Sequence, residues 1–239
     1  MNAFVAQVKA ETRLLFRNGE QLLLTLGIPV LLLVFFSTVK VVDLGTTPRV
    51  QTIVPGILAL AVMSTAMVGL GIATGFERKY GVLKLLGSTP LGRPRLLLAK
   101  AATVAVVELL QFVVLATIGA LLGWRPHLSL LLVIAAVLLG TACFAGIAFT
   151  LAGRLKGEVN LAAVNGLYLV LLLIGGMVVP LDNLPAPLRA VGRLLPSGAL
   201  SDAMRQAVGE TERTGRPWLI LMVWLVVAAT AAVRLFRWE

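Results

Sequence analysis

Six long apolar runs, separated by shorter polar segments, dominate the pattern of this chain. The runs are Gln21–Val39, Ile53–Phe76, Ala101–Trp124, Leu128–Gly153, Leu161–Pro180 and Trp218–Val233. A membrane-spanning helix needs about 20 mostly apolar residues, within a range of about 17–25. The pattern therefore predicts an all-α integral membrane protein with six transmembrane helices, which form a single transmembrane domain over residues 1–239.

The N-terminal residues 1–20 carry an amphipathic pattern ahead of the first run. Lys9, Arg13 and Arg17 recur at every fourth position, beside an apolar set made of Phe4, Val5, Val8, Leu15 and Phe16. Such a helix lies in the membrane interface with its basic side toward lipid phosphates. The alternative is a solvated segment that only leads into the first span.

Composition supports the membrane class. The chain is 59% hydrophobic and 13% charged, whereas soluble domains carry about 25% charged residues. The net charge of +10 does not indicate nucleic acid as a partner, because the basic residues lie between apolar runs rather than on one face.

Basic loops are retained in the cytoplasm, so both termini are expected on the cytoplasmic side of the plasma membrane. With one Cys and one His, neither a disulfide nor a metal site is expected.

A basic island, residues 75–100, separates the second run from the third. It holds six Lys or Arg residues and one acid, Glu77. Residues 80–86 are predicted to continue the helix, with Glu77 and Lys84 on one face and apolar Val82, Leu83 and Leu86 on the other.

The island is predicted to contain a break between two helices. Gly87 and Pro90 end the first helix, and Pro94 opens the next. A short helix with a mixed apolar and charged tip suits docking into a groove on another protein. The alternative is a basic loop that only sets the topology.

The segment before the last run, Leu181–Pro217, is predicted to form two short helices. Pro196-Ser197-Gly198 breaks the first, and Ala199–Val208 forms the second. The pair either dips into the membrane from the outer face, as re-entrant helices do, or lies on that surface as a helical hairpin.

Two stretches resemble one family of transport proteins. The first is the run from Glu77 to Leu91, followed by Arg93 and Lys100. The second has Leu184-Pro185 and Leu188, then Leu195-Pro196, Ala203 and Arg205. Together they are similar to permeases of the type-two class of ATP-binding-cassette transporters, although Lys84 stands where that family often has an acid. The resemblance implies that the island is a coupling helix seated on a separate ATPase subunit, through Glu77, Arg78, Lys79, Tyr80, Gly81, Val82, Leu83, Leu86, Thr89 and Pro90.

The function implied by this resemblance is that of the membrane-spanning subunit of an ATP-driven exporter, not of an enzyme. The chain has no G-x-x-x-x-G-K-[ST] phosphate loop, so ATP and Mg are expected on the partner ATPase and no cofactor in this chain. Two permease copies, or this chain with a related permease, would enclose the pathway. The substrate class is an amphiphilic drug, lipid or glycan precursor.

Three polar residues in the apolar runs are pathway candidates: Glu108, Gln111 and Asn165. Ionisable residues inside spans usually face protein or a water-filled cavity. Glu108 could therefore line a pathway for a cationic or amphiphilic substrate, or hydrogen-bond a neighbouring helix; Asn165 could equally be an interhelical contact. A different function, the assembly of a cofactor such as haem or of a lipid, would need clustered His, Cys or acidic residues, and the chain offers almost none.

Overall fold

The computed structural model describes residues 3–17, 19–39, 48–87 and 93–236. Eleven α-helices lie within these ranges. They are α1 (Ala3–Arg17), α2 (Gly19–Thr38), α3 (Arg49–Met63), α4 (Leu70–Lys79), α5 (Val82–Gly87), α6 (Arg93–Leu121), α7 (Leu130–Ala152), α8 (Gly157–Ile174), α9 (Ala186–Gly192), α10 (Pro196–Ala207) and α11 (Arg216–Leu235). A π-helical turn, Ser64–Gly69, joins α3 to α4, and a 3₁₀ turn, Leu181–Asn183, precedes α9.

Five helical stretches in the described ranges are long and apolar enough to cross a membrane. They cover residues 49–79, 95–121, 130–152, 157–174 and 216–235. These correspond to five of the six predicted runs, which confirms a multi-pass helical protein. The predicted first run lies in α2, which has 20 residues; its described apolar part, Thr25–Thr38, covers less than the length of a span. A sixth span therefore stays a prediction.

The stretch from α3 through the π-turn to α4 forms the centre of the bundle. Its side chains, among them Ile57, Met63 and Met67, are almost entirely buried. A helix that is apolar all round is buried on all sides, and here α2, α6, α7, α8 and α10 surround it. The other membrane-length helices keep exposed apolar faces on the outside of the bundle.

Two ends of the bundle can be distinguished. We call the end with α5 and the 153–156 connection the basic end, since Lys79, Lys84, Arg154 and Lys156 lie there. Phe236, which follows α11, reaches the same end and packs edge-on against Phe149. We call the end with the 122–129 connection and the segment 175–215 the opposite end.

Helix α10 lies between the spans rather than on their surface. Eleven of its twelve residues are buried, and it packs against α3, α7 and α11. The Trp224 Nε1 atom donates a 2.8 Å hydrogen bond to the Leu194 carbonyl just before α10. Trp224 lies eight residues after the first residue of α11, so the α9–α10 junction lies about 12 Å along the axis of α11 from the beginning of that helix. The surface-lying alternative is therefore wrong for α10.

Pro196 also does not break a helix, because it occupies the first position of α10.

The helix predicted across residues 77–86 is interrupted. α4 ends at Lys79, Tyr80 and Gly81 form a turn, and α5 begins at Val82. The cause is the left-handed backbone of Gly81, with φ of 76°, which glycine adopts without steric cost. Glu77 and Lys84 consequently do not share a helical face, and that prediction is wrong. The predicted break at 88–90 lies outside the described residues, whereas Pro94 does fall in the first turn of α6.

Candidate functional site

The predicted coupling segment has an exposed apolar side. The exposed fractions are 69% for Tyr80, 39% for Val82 and 71% for Leu85. Leu83 is fully buried and packs with Leu96 of α6, in a small cluster that also includes Phe4, Leu86 and Phe236. The short helix α5 is therefore attached to the bundle by one side and exposes the other. Thr89 and Pro90 lie outside the described residues.

A buried lysine anchors the entry to this segment. Only 2% of the Lys100 side chain is exposed, and its Nζ atom lies 2.7 Å from Glu77 Oε1 and 2.8 Å from Glu11 Oε1. The lysine belongs to α6, and the two acids belong to α4 and α1. A charge that is buried must be paired to be tolerated. The three residues thus tie the N-terminal helix, the end of the central stretch and the beginning of α6 together.

Two basic residues of the predicted site bind the neighbouring α7–α8 connection. Arg78 Nη1 donates hydrogen bonds to the carbonyls of Ala152 (3.0 Å) and Leu155 (3.1 Å). The first bond satisfies the carbonyl of the last residue of α7, which has no partner inside its helix, and the second binds the connection that follows. Lys79 pairs with Glu158 of α8. Glu77, Arg78 and Lys79 therefore contact the bundle, whereas Tyr80, Val82 and Leu85 are exposed.

The aromatic pair beside Lys79 supports the turn. The Phe76 and Tyr80 rings are stacked with centroids 6.1 Å apart. The Lys79 ammonium lies 5.4 Å from the centroid of the Tyr80 ring, within the distance of a cation–π contact. This arrangement holds Tyr80 at the corner where Gly81 reverses the backbone.

A polar cluster lies inside the bundle at the predicted pathway residues. Glu108 and Gln111 are both fully buried. Thr141 of α7 donates a 2.5 Å hydrogen bond to Glu108 Oε2, while Oε1 has no hydrogen-bond partner among the described residues. Gln111 accepts a bond from Thr65 (3.0 Å) and donates one to the Thr25 carbonyl (2.9 Å). The cluster thus joins α2, α6 and α7 to the π-helical turn that contains Thr65.

Asn165 does not belong to this cluster. Its Nδ2 atom donates to the Leu161 carbonyl one turn back, so this hydrogen bond stays within α8. Asn160 does make an interhelical contact, because its Nδ2 atom donates a 2.8 Å hydrogen bond to the Gly71 carbonyl of α4. Gly75 allows this approach, since a side chain there would collide with Asn160.

Sequence reasoning missed the structural role of Arg205. This residue of α10 is almost fully buried. Its Nη1 atom binds the Thr52 carbonyl at 2.8 Å and both carboxylate oxygens of Glu210 at 2.9 and 3.0 Å, and Nη2 binds the Gly176 carbonyl at 3.2 Å. Burial raises the pKa of Glu210 and the Arg205 charge opposes the rise. An arginine amid the small residues of α10 was the available signal.

Membrane-length helices and polar groups paired between helices define a multi-pass helical membrane protein. Among the described residues, no group of three His, Cys, Asp or Glu side chains could hold a metal ion. The family model described as "ABC-2 family transporter protein" matches residues 44–234. The chain therefore belongs to the ABC-2 transporter family and is a membrane transport permease.

A curated relative agrees with this assignment. The chain is 24% identical over 234 residues to the protein named "Putative transport permease YvfS" of Bacillus subtilis (strain 168). The match covers 95% of this chain and 94% of that protein. The two proteins therefore match over nearly their whole lengths, and the predicted resemblance to type-two permeases is confirmed.

Proposed function

We propose that this chain is the membrane-spanning subunit of an ATP-driven exporter. Separate ATP-binding-cassette ATPase subunits would hold ATP and Mg and dock at the basic end. Two copies of the chain, or one copy with a second permease, would enclose the pathway in the plasma membrane. The substrate would be an amphiphile, such as a drug, a lipid or a glycan precursor, moved away from the cytoplasm.

The observation that carries this proposal is the two-sided environment of α5. Tyr80, Val82 and Leu85 are exposed, and exposed apolar anchors of this kind fill a groove on a partner protein. Leu83, on the other side, is fixed to α6. A partner that binds the exposed side can therefore move α6 through the buried side.

Charge supports the proposed side of the membrane. The exposed Lys84, together with Arg154 and Lys156, lies at the same end as α5. Short basic connections are retained in the cytoplasm. In this orientation α1 lies at the cytoplasmic surface, and both termini are cytoplasmic. The ion pairs of Lys100 with Glu77 and Glu11 would carry a displacement of α5 to both α6 and α1.

Glu108 and Gln111 are proposed to meet the substrate only when the helices separate. In the described conformation both are fully buried, so no passage reaches them. The π-helical turn at Ser64–Gly69 lies directly beside Gln111, and π-turns of this kind often mark functional positions. Asn165, which bonds within its own helix, is the weaker candidate for the pathway.

The docking role can be tested by co-purification with an ATP-binding-cassette ATPase from the same organism. Leu85→Ala removes an exposed anchor and should weaken association and substrate-stimulated ATP hydrolysis by about tenfold, as for a typical anchor truncation. Leu121→Ala is the matched control, because Leu121 is 82% exposed at the far end of α6. Equal association for both variants and the unmodified chain would rule out α5 as the docking element.

A further inference from the structure

A charged cleft of about 480 Å³ lies at the opposite end of the bundle, far from the proposed coupling segment. It lies between α10 and the chain that leads into α11, and both acidic and basic side chains line it. A cavity of this size is within the range that holds small ligands. Nothing in the proposed coupling mechanism uses this cleft.

Asp202 is the acidic group on the α10 side of the cleft. It is half-buried, and no described residue donates a hydrogen bond to its carboxylate. Arg205, the basic group one turn on, is already bonded to Glu210, Thr52 and Gly176. Burial raises the pKa of Asp202 to about 6, which the charges of Arg205, Arg193 and Arg216 oppose and that of Asp182 reinforces. A cationic donor that entered the cleft would supply the missing partner.

Arg216 offers the complementary charge on the other side of the cleft. Its side chain is exposed at the first position of α11, and within the described ranges no acceptor binds its guanidinium. Arg193, the second basic group, is already paired with Asp182 at 2.7 Å. A guanidinium binds phosphate with two parallel hydrogen bonds. Asp202 and Arg216 thus lie on opposite sides of the cleft without a hydrogen-bond partner among the described residues, and Glu212 adds a second, exposed carboxylate to the lining. This arrangement suits a ligand that carries both an ammonium and a phosphate.

An apolar surface leads away from the cleft along α11. Ile220 lines the cleft itself. Val223 and Val227, which follow at helical spacing on the same face, are 54% and 53% exposed. Leu194, whose carbonyl binds Trp224 of α11, is 60% exposed beside them. A ligand whose polar group occupies the cleft could thus lay a hydrocarbon chain along this surface.

We propose that the cleft binds the headgroup of an aminophospholipid of the phosphatidylethanolamine kind. The ammonium donates hydrogen bonds to Asp202, the phosphate accepts them from Arg216, and one acyl chain lies along Ile220, Val223 and Val227. The site belongs to the leaflet at the opposite end of the bundle. It requires only that the chain spans the membrane, so it does not depend on ATPase coupling or on the direction of transport.

The experiment titrates the purified full chain in detergent with short-chain phosphatidylethanolamine, phosphatidylcholine or phosphatidylglycerol and measures bound lipid by native mass spectrometry. Phosphatidylethanolamine should bind about tenfold more tightly than phosphatidylcholine, whose trimethylated nitrogen donates no hydrogen bond. Asp202→Asn should remove that preference. Arg216→Gln should weaken both lipids by a similar factor, because both contain the phosphate. Glu158→Gln, which changes a carboxylate at the basic end, should have no effect.

Equal binding of the three lipids to the unmodified chain would overturn the proposal, and so would an Asp202→Asn variant that keeps the preference. Thermal unfolding separates these outcomes from misfolding. Should Asp202→Asn not fold, the exposed rim variant Arg216→Gln decides, since unchanged lipid binding there also overturns the proposal. Binding of free phosphoethanolamine without binding of the lipid would identify a soluble zwitterion and likewise reject a lipid site.

Discussion

Lys100 and Glu77 form an ion pair of 2.7 Å at the point where the central stretch and α6 meet, and the lysine is almost completely withdrawn from solvent. Glu11 completes the group at 2.8 Å. Removing one partner from a buried ion pair leaves an uncompensated charge and is strongly destabilising. The folded structure of the basic end therefore depends on the Lys100 ammonium group.

Replacement of this ammonium should destabilise the fold. Lys100→Met is expected to lower the free energy of unfolding by about 3–5 kcal/mol, because Glu77 and Glu11 lose their common partner. Lys9→Met, an exposed position on α1, should change it by less than about 0.5 kcal/mol. Thermal unfolding in detergent measures both. Adding Glu77→Gln to Lys100→Met should recover part of the loss, and no recovery would mean that the pairing is not the cause.

Gly56 should not tolerate a methyl group. A Cβ atom there would overlap the backbone carbonyl of Met177 and approach the Arg205 guanidinium to 3.1 Å. Overpacking typically costs about 1–3 kcal/mol, and more where a backbone atom cannot move aside. Gly56→Ala should therefore reduce the yield of folded protein and its melting temperature. Gly27→Ala is the control, since in the described part of the chain no atom outside its own helical turn lies within 4 Å of its Cβ position. Equal melting temperatures for the two variants would contradict the packing described.

A double-mutant cycle can separate the two possible roles of Glu108. Thr141→Val removes the donor to Glu108 Oε2 and should cost about 1–3 kcal/mol, whereas Glu108→Leu with Thr141→Val replaces both partners by apolar groups and should be much closer to neutral. Stability is read from thermal unfolding, and function from substrate-stimulated ATP hydrolysis with the partner ATPase. A stable double variant that keeps full stimulation would assign Glu108 to structure alone.

Asp202 should make stability depend on pH. Burial raises its pKa from 3.8 to about 6, so the folded state binds the proton more tightly than the unfolded state. The penalty for the buried charge is present above pH 6, declines as the pH falls through the interval from 6 to 3.8, and is absent below it. Asp202→Asn should raise the melting temperature at pH 8 and have little effect at pH 4. The same increase at both pH values would contradict this assignment.

The apolar pattern was sufficient to predict five membrane-length helices, because burial in lipid requires long uninterrupted runs. The observed bounds of α7, Leu130–Ala152, fall within two residues of the predicted run. Pro94 likewise located the beginning of α6, since proline favours the first turn of a helix. The length of an apolar run and the position of a proline can both be read from the local sequence, without knowledge of tertiary contacts.

Other features depend on contacts that a single sequence does not contain. Gly81 is compatible with a helix and with a left-handed turn, and the turn is accompanied by contacts distant in sequence, such as that of Leu83 with Leu96 of α6. Lys100 resembles any other basic residue of the island until Glu11, 89 residues earlier, is placed beside it. The depth of α10 follows from small side chains that permit close helix approach, and the sequence alone left open whether this segment enters the bundle or lies on its surface.

The inserted α10 makes the bundle unequal across its thickness. One additional helix fills the half near the opposite end, whereas the half near the basic end has no such wedge in the part of the chain that the structure describes. α10 occupies the half near the opposite end, between α3, α7 and α11. Arg205 of α10 binds both α3 and the 175–179 segment, so we expect any displacement of α10 to carry these two neighbours with it.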